Sequence, residues 1–314
     1  MLKTPFNVDR TITIDRPVAE VYTLLGDLHE WPKWWPWFIQ EPDCPIQTKG
    51  TPRTRGHQIN WSGRLIGAGQ IAISDMLPNQ KICYHLNIYS PVNSSGKVVF
   101  KFKSSGNATQ LTWSLEAHLP FFMFFSKKLM AGLVGNNCER GLAMLKDLLE
   151  KETIHTMVDL HGIAKSDGFY YVGNPYICCF DELKPIRAEA FQALESLVEN
   201  SSIPKPDKII SLRHEHNLIT RTSKTTPAYL YNKLPENLTK ELEWGHIPSH
   251  NTLKVQHIGD YRHSGNAWAL ASIHQRAEKL KPDNRVPMYE EYVSSPKAAD
   301  ESSLETNIYL PIKL

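Results

Sequence analysis

The stretch PMYEEYVSSP, Pro287 to Pro296, sets two adjacent glutamates between tyrosines in a run that otherwise has strand composition. A carboxylate is costly inside a packed sheet unless it is solvated, paired or put to use. Alternation along a strand sends Glu290 and Tyr292 to one face and Tyr289 and Glu291 to the other. On an aromatic floor such a carboxylate attracts a cation. As a general base or nucleophile it would instead act on an electrophile. On a solvated edge strand the same charges only discourage aggregation. The pattern alone leaves all three open.

Other residues with chemical potential are weaker candidates. EWPKWWPWF concentrates Trp31, Trp34, Trp35, Trp37 and Phe38 in one short segment. These aromatics form either the wall of an apolar ligand pocket or a structural plug that seals a short helix onto a sheet. Thirteen histidines raise the question of a metal. In HEH, His214 and His216 fall on one face of a strand, and His246 and His250 are spaced for one turn. Zinc needs three or four converging ligands, and the spacing supplies no third, so no metal is expected. His57, His85 and His118 are scattered, and nothing pairs them for catalysis. GRLIGAG, Gly63 to Gly69, lacks the phosphate-loop pattern and reads as a bend or bulge. No residue pattern implies a cofactor.

These residues must be carried by a chain of 314 residues, enough for two domains of about 150 each. A formal charge of +2 and the lack of a Lys/Arg run or a helix-turn-helix segment argue against direct nucleic-acid binding. Five cysteines without a CxxC pair read as reduced packing residues. The opening MLKTPFNVDR has no signal-peptide core. LPFFMFFSKKLMAGLVG, from Leu119, is too short on either side of Lys127 and Lys128 to span a bilayer. A cytoplasmic protein without membrane insertion is expected.

The first half begins with the β-branched strand NVDRTITI, followed by Asp15 and Pro17 as a helix start and an apolar helical face on Val18, Val21, Tyr22 and Leu25. Strand-like runs follow over 67–76, 81–89, 97–105 and 109–119, and VFKFK and LTWSLEA alternate as antiparallel strands do. A last helix carries Leu142, Leu145, Leu148 and Leu149 at helical spacing. ITIDRPVAEVYTLLGDLHEWPKWWPW and ERGLAMLKDLLE resemble the START-like, or SRPBCC (polyketide cyclase-like), superfamily. That resemblance covers about Phe6 to Glu152. It implies a helix-grip, a curved sheet around a long C-terminal helix with a cavity for apolar ligands.

Beyond residue 153 the chain reads as two blocks of strand, helix, strand, strand, a repeat of pattern more than of letters. The first holds GFYYVG, a helix over 185–200, KIISLRHEH and PAYLYNKLP. The second holds NTLKVQHIGDY, a helix over 265–280, VPMYEEYVSS and LETNIYLPI. VQHIGDYRHSGNAW, PMYEEYVSSP and TNIYLPI resemble the GyrI-like effector-binding domains, found alone or attached to AraC-type and MerR-type regulators. The resemblance implies a groove between paired helices and sheets for lipophilic, often cationic, small molecules. A few members are reported to hydrolyse strained rings. The family pattern of aromatic, Glu, any residue, Tyr maps onto Tyr289 to Tyr292 and selects the Glu290 face as the groove. Tyr292 would bond the carboxylate or stack on a ligand, and Trp268, Tyr261 and His257 would be walls. Where many members carry an acid before the last strand, this chain has Asn307, which would remove one negative charge.

The expected molecule is therefore an α+β protein with a START-like domain over 1–153 and a GyrI-like domain over 154–314. The function that follows is a binding protein for hydrophobic small molecules, cationic ones included, acting as sensor, sequestering agent or carrier. The alternative is a small-molecule hydrolase that uses Glu290. A third reading is an adaptor whose first half docks on a protein partner that the sequence leaves unnamed.

Overall fold

The computed structural model describes residues 3–200, 203–294 and 299–314. The chain divides into two compact units, Met1–Ile154 and His155–Leu314.

In the first unit, β1 (Lys3–Ile14) leads into α1 (Val18–Leu25). Pro17 occupies the N-cap position without a side-chain bond, and the backbone N–H of Asp15 donates to Glu150 Oε1 at 2.6 Å. Strands β2 (Ile46–Lys49), β3 (Gln58–Ser62), β4 (Ala68–Leu77), β5 (Lys81–Ser90), β6 (Ser94–Ser105) and β7 (Ala108–Pro120) then form an antiparallel meander. Because successive strands return by short turns, the sheet order is β1-β7-β6-β5-β4-β3-β2. Gly67 sits at φ +73°, where a Cβ would meet Ser90 O at 2.2 Å, and the β4–β5 register shifts between Ala68 and Gly69. The glycine-rich run is thus a kink in the sheet.

The long helix α2 (Lys127–Lys151) packs on β1 and buries Leu142 and Leu145. Arg16 donates from Nε to Leu149 O at 2.9 Å and from Nη2 to Glu150 O at 3.1 Å. It thereby satisfies carbonyls that the helix end leaves open. Large antiparallel sheet and long helix together make the helix-grip arrangement. Among the described residues no helix is long and apolar enough to cross a membrane.

The second unit contains β8 (Thr156–Ser166), β9 (Phe169–Val172), β10 (Tyr176–Cys179), α3 (Leu183–Glu199), β11 (Lys208–Asn217) and β12 (Thr222–Tyr231). These are followed by β13 (Trp244–Ile247), β14 (His250–Gly259), α4 (Gly265–Ala277), β15 (Lys281–Pro282), β16 (Met288–Tyr292) and β17 (Glu305–Lys313). The sheet runs β13-β9-β12-β11-β16-β17-β14-β8, with β10 on β12 and β15 on β17. Outward from the central antiparallel pair β11–β16 lie β12 and then β9 on one side, and β17 and then β14 on the other. Sequence periodicity did not single out β10 and β13, each a four-residue strand with little room to show alternation.

Four cysteines, Cys44, Cys83, Cys138 and Cys178, are buried, but Cys179 is exposed. The packing role expected of all five therefore fails at Cys179, which points away from its neighbour on β10.

Candidate functional site

The opening glutamates lie on β16, which is bonded to β11 on one side and to β17 on the other. A strand paired on both sides is not an edge, and Glu290 is only 3% exposed. Cross-strand partners share a face, so register extends the Glu290 side across the sheet. Glu290 lies opposite Ser211 and Ile308, and Tyr292 lies opposite Thr306, which in turn lies opposite His257. Arg213 lies opposite Met288 and Thr225, and Thr225 lies opposite Tyr176. One sheet face thus carries Tyr176, Thr225, Arg213, Ser211, Glu290, Tyr292, Thr306 and His257 beside the apolar Met288 and Ile308, a largely polar floor for a surface that is buried to half-buried.

Two helices reach onto this floor. From α4, Trp268 Nε1 donates to Glu290 Oε1 at 2.5 Å. From α3, Arg187 Nη1 lies 3.5 Å from Glu290 Oε2 and 3.4 Å from the Tyr292 hydroxyl. Tyr292 itself donates to Glu290 Oε2 at 2.6 Å, and Arg213 Nη2 reaches Oε1 at 3.2 Å. The Arg213 guanidinium also lies over the Trp268 ring, 3.8 Å from its centroid. The Tyr261 ring meets Tyr292 edge-on at 5.3 Å, Phe191 does so at 5.6 Å, and the Tyr261 hydroxyl donates to Ser294 O at 2.5 Å. Glu290, Tyr292, Trp268 and Tyr261 therefore come together.

Burial opposes ionisation of Glu290, but Arg187 and Arg213, with hydrogen bonds from Tyr292 and Trp268, outweigh it and hold the carboxyl below its ordinary range. Burial first, and then the Glu290 charge, push the Tyr292 phenol well up. His257 stands two strands from Tyr292 across Thr306, fully buried, with Nε2 hydrogen-bonded to Thr156 Oγ1 at 3.0 Å. Burial and then His263 lower its pKa to about 4, so it is neutral at pH 7. Its place on the floor is set by register, but it makes no hydrogen bond to Glu290.

No counter-charge for Glu290 is legible in the sequence, whereas the structure supplies two. Arg187 and Arg213 were missed because nothing local marks them: they lie in an amphipathic helix and a strand far away in the chain. The one available signal was the placement of Arg213 next to HEH at the end of an apolar strand. Asn307 needs a second correction. It lies opposite Glu291, on the reverse face, where Glu291 pairs with Lys208 at 2.9 Å and accepts from the Tyr309 hydroxyl at 2.7 Å. An amide in place of an acid there removes no charge from the Glu290 side.

The histidine pairs also separate. A bulge between Arg213 and Glu215 breaks alternation in β11. His214 Nε2 then bonds Thr226 Oγ1 at 2.8 Å, while His216 falls on the Arg213 face and stacks on Phe180 at 4.4 Å. His246 on β13 meets the Tyr170 ring at a tilt, and His250 lies on β14 with Nδ1 on Pro248 O at 2.9 Å, so no shared helical turn brings them together. A different trio, Asp27, His29 and His57, gathers ligand-type atoms within 4.8 Å. His57 is buried between two backbone groups: Nε2 accepts from the Leu28 N–H at 2.9 Å and Nδ1 faces Lys49 O at 3.1 Å. Its lone pair is engaged, which fits a structural buttress. His85 and His118 are exposed.

In the first unit, Trp31 and Trp34 are fully buried and Trp35 nearly so. Trp35 stacks on Trp31 at 4.5 Å and on Trp113 at 4.9 Å, and half-buried Trp37 continues the series at 5.0 Å. Trp31 Nε1 donates to Leu25 O at 3.0 Å, joined by the Tyr84 hydroxyl at 2.7 Å, so together they close the end of α1. The geometry of these rings is that of packed core, because each covers another; they do not line an open wall.

Residues 5–150 match the family described as polyketide cyclase / dehydrase and lipid transport. That match gives the first unit a fold associated with hydrophobic ligands. No curated protein matches the chain. Among solved structures, protein MLL2253 from Mesorhizobium loti is 16% identical, with 47% of this chain and 99% of that one covered at a TM-score of 0.37. The Aha1 dimer from Colwellia psychrerythraea is 18% identical, covering 46% and 96% at 0.32. An EcmrR–DNA complex is 13% identical, covering 57% of this chain and 65% of that one at 0.40.

Proposed function

We propose that this chain is a cytoplasmic binding protein for hydrophobic small molecules, with the polar end of the ligand recognised on the Glu290 floor of the second unit. The observation that carries the reading is the cluster of buried Glu290 and Trp268 with half-buried Arg187, Arg213 and Tyr292. Burying charges costs several kcal/mol each, and well-packed apolar residues in their place often stabilise a fold by about 1–4 kcal/mol. A core built for stability alone would avoid this set, whereas a recognition site needs it. The surrounding rings of Trp268, Tyr261, Tyr292 and Phe191 supply apolar contact area. The resemblance to GyrI-like domains on PMYEEY and TNIYLPI supports the same use of this face, and the first unit's family supports apolar ligands.

Native mass spectrometry of freshly purified protein tests this directly. The expected spectrum contains a non-covalent adduct that is lost in Trp268→Ala. A bare mass in every preparation, with no small molecule from a hydrophobic library shifting the melting temperature, would end the reading. The hydrolase alternative has less support. A carboxylate held below its ordinary range, with donors on both oxygens, is a weak base and a weak nucleophile.

A further inference from the structure

The charges around Glu290 are unequal. Arg187 and Arg213 both lie within ion-pair distance of Glu290, and among the described residues neither has another carboxylate within that distance. The neighbouring histidine adds no charge at pH 7, since burial and then Arg213 push His216 down to about 3. The phenols of Tyr176, Tyr261 and Tyr292 are all raised, chiefly by burial, and stay neutral. The cluster of Glu290, Arg187 and Arg213 therefore carries one more positive than negative charge.

The donors are unequal too. A guanidinium offers several N–H groups in a rigid fork. Arg187 uses only Nη1, on Tyr292 and Glu290, and Arg213 uses only Nη2, on Glu290. Glu290 is the opposite case, with Trp268 and Arg213 on one oxygen and Tyr292 and Arg187 on the other. Its acceptor capacity is taken, while the arginines have donors to spare. On the same face His216 Nδ1 is buried with no hydrogen-bond partner.

Resting on the binding reading above, we infer that this floor takes an organic oxyanion, a carboxylate on an aromatic or otherwise apolar body. The anion would seat against the open guanidinium edges of Arg187 and Arg213, and Glu290 would hold the two forks in place. Forked N–H pairs match the planar carboxylate, and a cation entering here would meet two like charges against one opposite. This reverses the charge preference expected from Glu290 alone.

Three probes on one naphthyl body, with polar groups of similar size, decide the matter: 2-naphthoate, 2-naphthalenemethanol and 2-naphthylmethylammonium, titrated calorimetrically into the full chain. The expected ranking is carboxylate first, about tenfold or more ahead of the ammonium. Arg187→Lys and Arg213→Lys, which keep the charge and lose the fork, should weaken naphthoate several-fold and leave the alcohol unchanged. Binding of the ammonium or the alcohol ahead of naphthoate would overturn the anion assignment and leave the binding reading standing. Failure of all three to bind would remove both. Equal losses for all three probes in the lysine variants would mean that the arginines support the fold without recognising charge, and that too overturns the assignment. Melting curves for each variant confirm that the comparison is made on folded protein.

Discussion

In the first unit four tryptophans, Trp31, Trp34, Trp35 and Trp113, lie ring against ring beneath the sheet, and the polar atom of Trp31 serves only to close a helix end. In the second unit one of the two tryptophans, Trp268, has one edge bonded to a buried carboxylate and one face under a guanidinium, while Trp244 is exposed. The same side chain fills space in one place and positions charge in the other. The difference comes from its neighbours. Where rings meet rings, burial is favourable at roughly 25 cal/mol per Å², less the cost of the buried indole N–H groups of Trp34 and Trp113, which have no hydrogen-bond partner; where a ring meets an ion pair, every partner must be present for burial to be tolerated.

The largest expected effect tests the first half of that contrast. Trp34→Ala empties a fully buried site and should cost about 3–5 kcal/mol. Hydrogen exchange read residue by residue should show the loss within 3–154, with the second unit little changed. A loss below about 1 kcal/mol would mean that the aromatic cluster is loosely packed and open to a ligand after all.

The next tests the second half. Arg213→Met leaves Glu290 with a weaker set of partners and should destabilise by about 3 kcal/mol. The triple change Glu290→Met, Arg187→Met, Arg213→Met should return to within about 1 kcal/mol of the native protein or exceed it, because no charge is then buried. Urea denaturation of the single and triple variants measures both. A triple variant as unstable as the single one would show that the ion cluster holds the fold together, erasing the contrast.

An effect of about 3 kcal/mol should appear with pH. His257 titrates near 4 in the fold against an ordinary value of 6.5. Between those values the unfolded chain binds the extra proton, so stability is fully present above about 6.5 and falls as pH drops towards 4. Glu290, whose folded value lies below its ordinary 4.5, adds a loss only at lower pH. His257→Gln should flatten the melting-temperature profile between pH 6.5 and 4, and an unchanged slope would assign that titration to another group. Smallest is Trp268→Phe, which keeps the ring and removes one charge-assisted donor. It should cost about 1.5–3 kcal/mol when measured at neutral pH, and less under acid conditions where Glu290 is protonated.

What the sequence made legible follows the range of each interaction. Period-two alternation put Glu290 and Tyr292 on one side because it concerns residues two apart. The helix-grip elements were readable for the same reason, since β1, α1 and the leucines of α2 declare themselves over a turn or a few residues. Arg187 and Arg213 were not, since the first lies 105 positions from Tyr292 and the second 77 from Glu290. Only tertiary pairing brings them together. Trp31 to Trp37 show a third case. Their abundance was obvious, but which rings would be covered depended on Tyr84, Phe100 and Trp113, supplied by later strands. The direction of His216 turned on a single inserted residue, which alternation cannot reveal.

That inserted residue in β11 has a further consequence. Up to Arg213 the strand's even-numbered positions, Ile210 and Leu212, belong to the apolar core, and beyond the shift an even-numbered histidine turns towards the arginine instead. The segment behaves as two short strands spliced out of phase. Removing His214 would rejoin them in phase and leave the same residues opposite the same neighbours, so the tip should tolerate shortening that would be ruinous a few positions earlier.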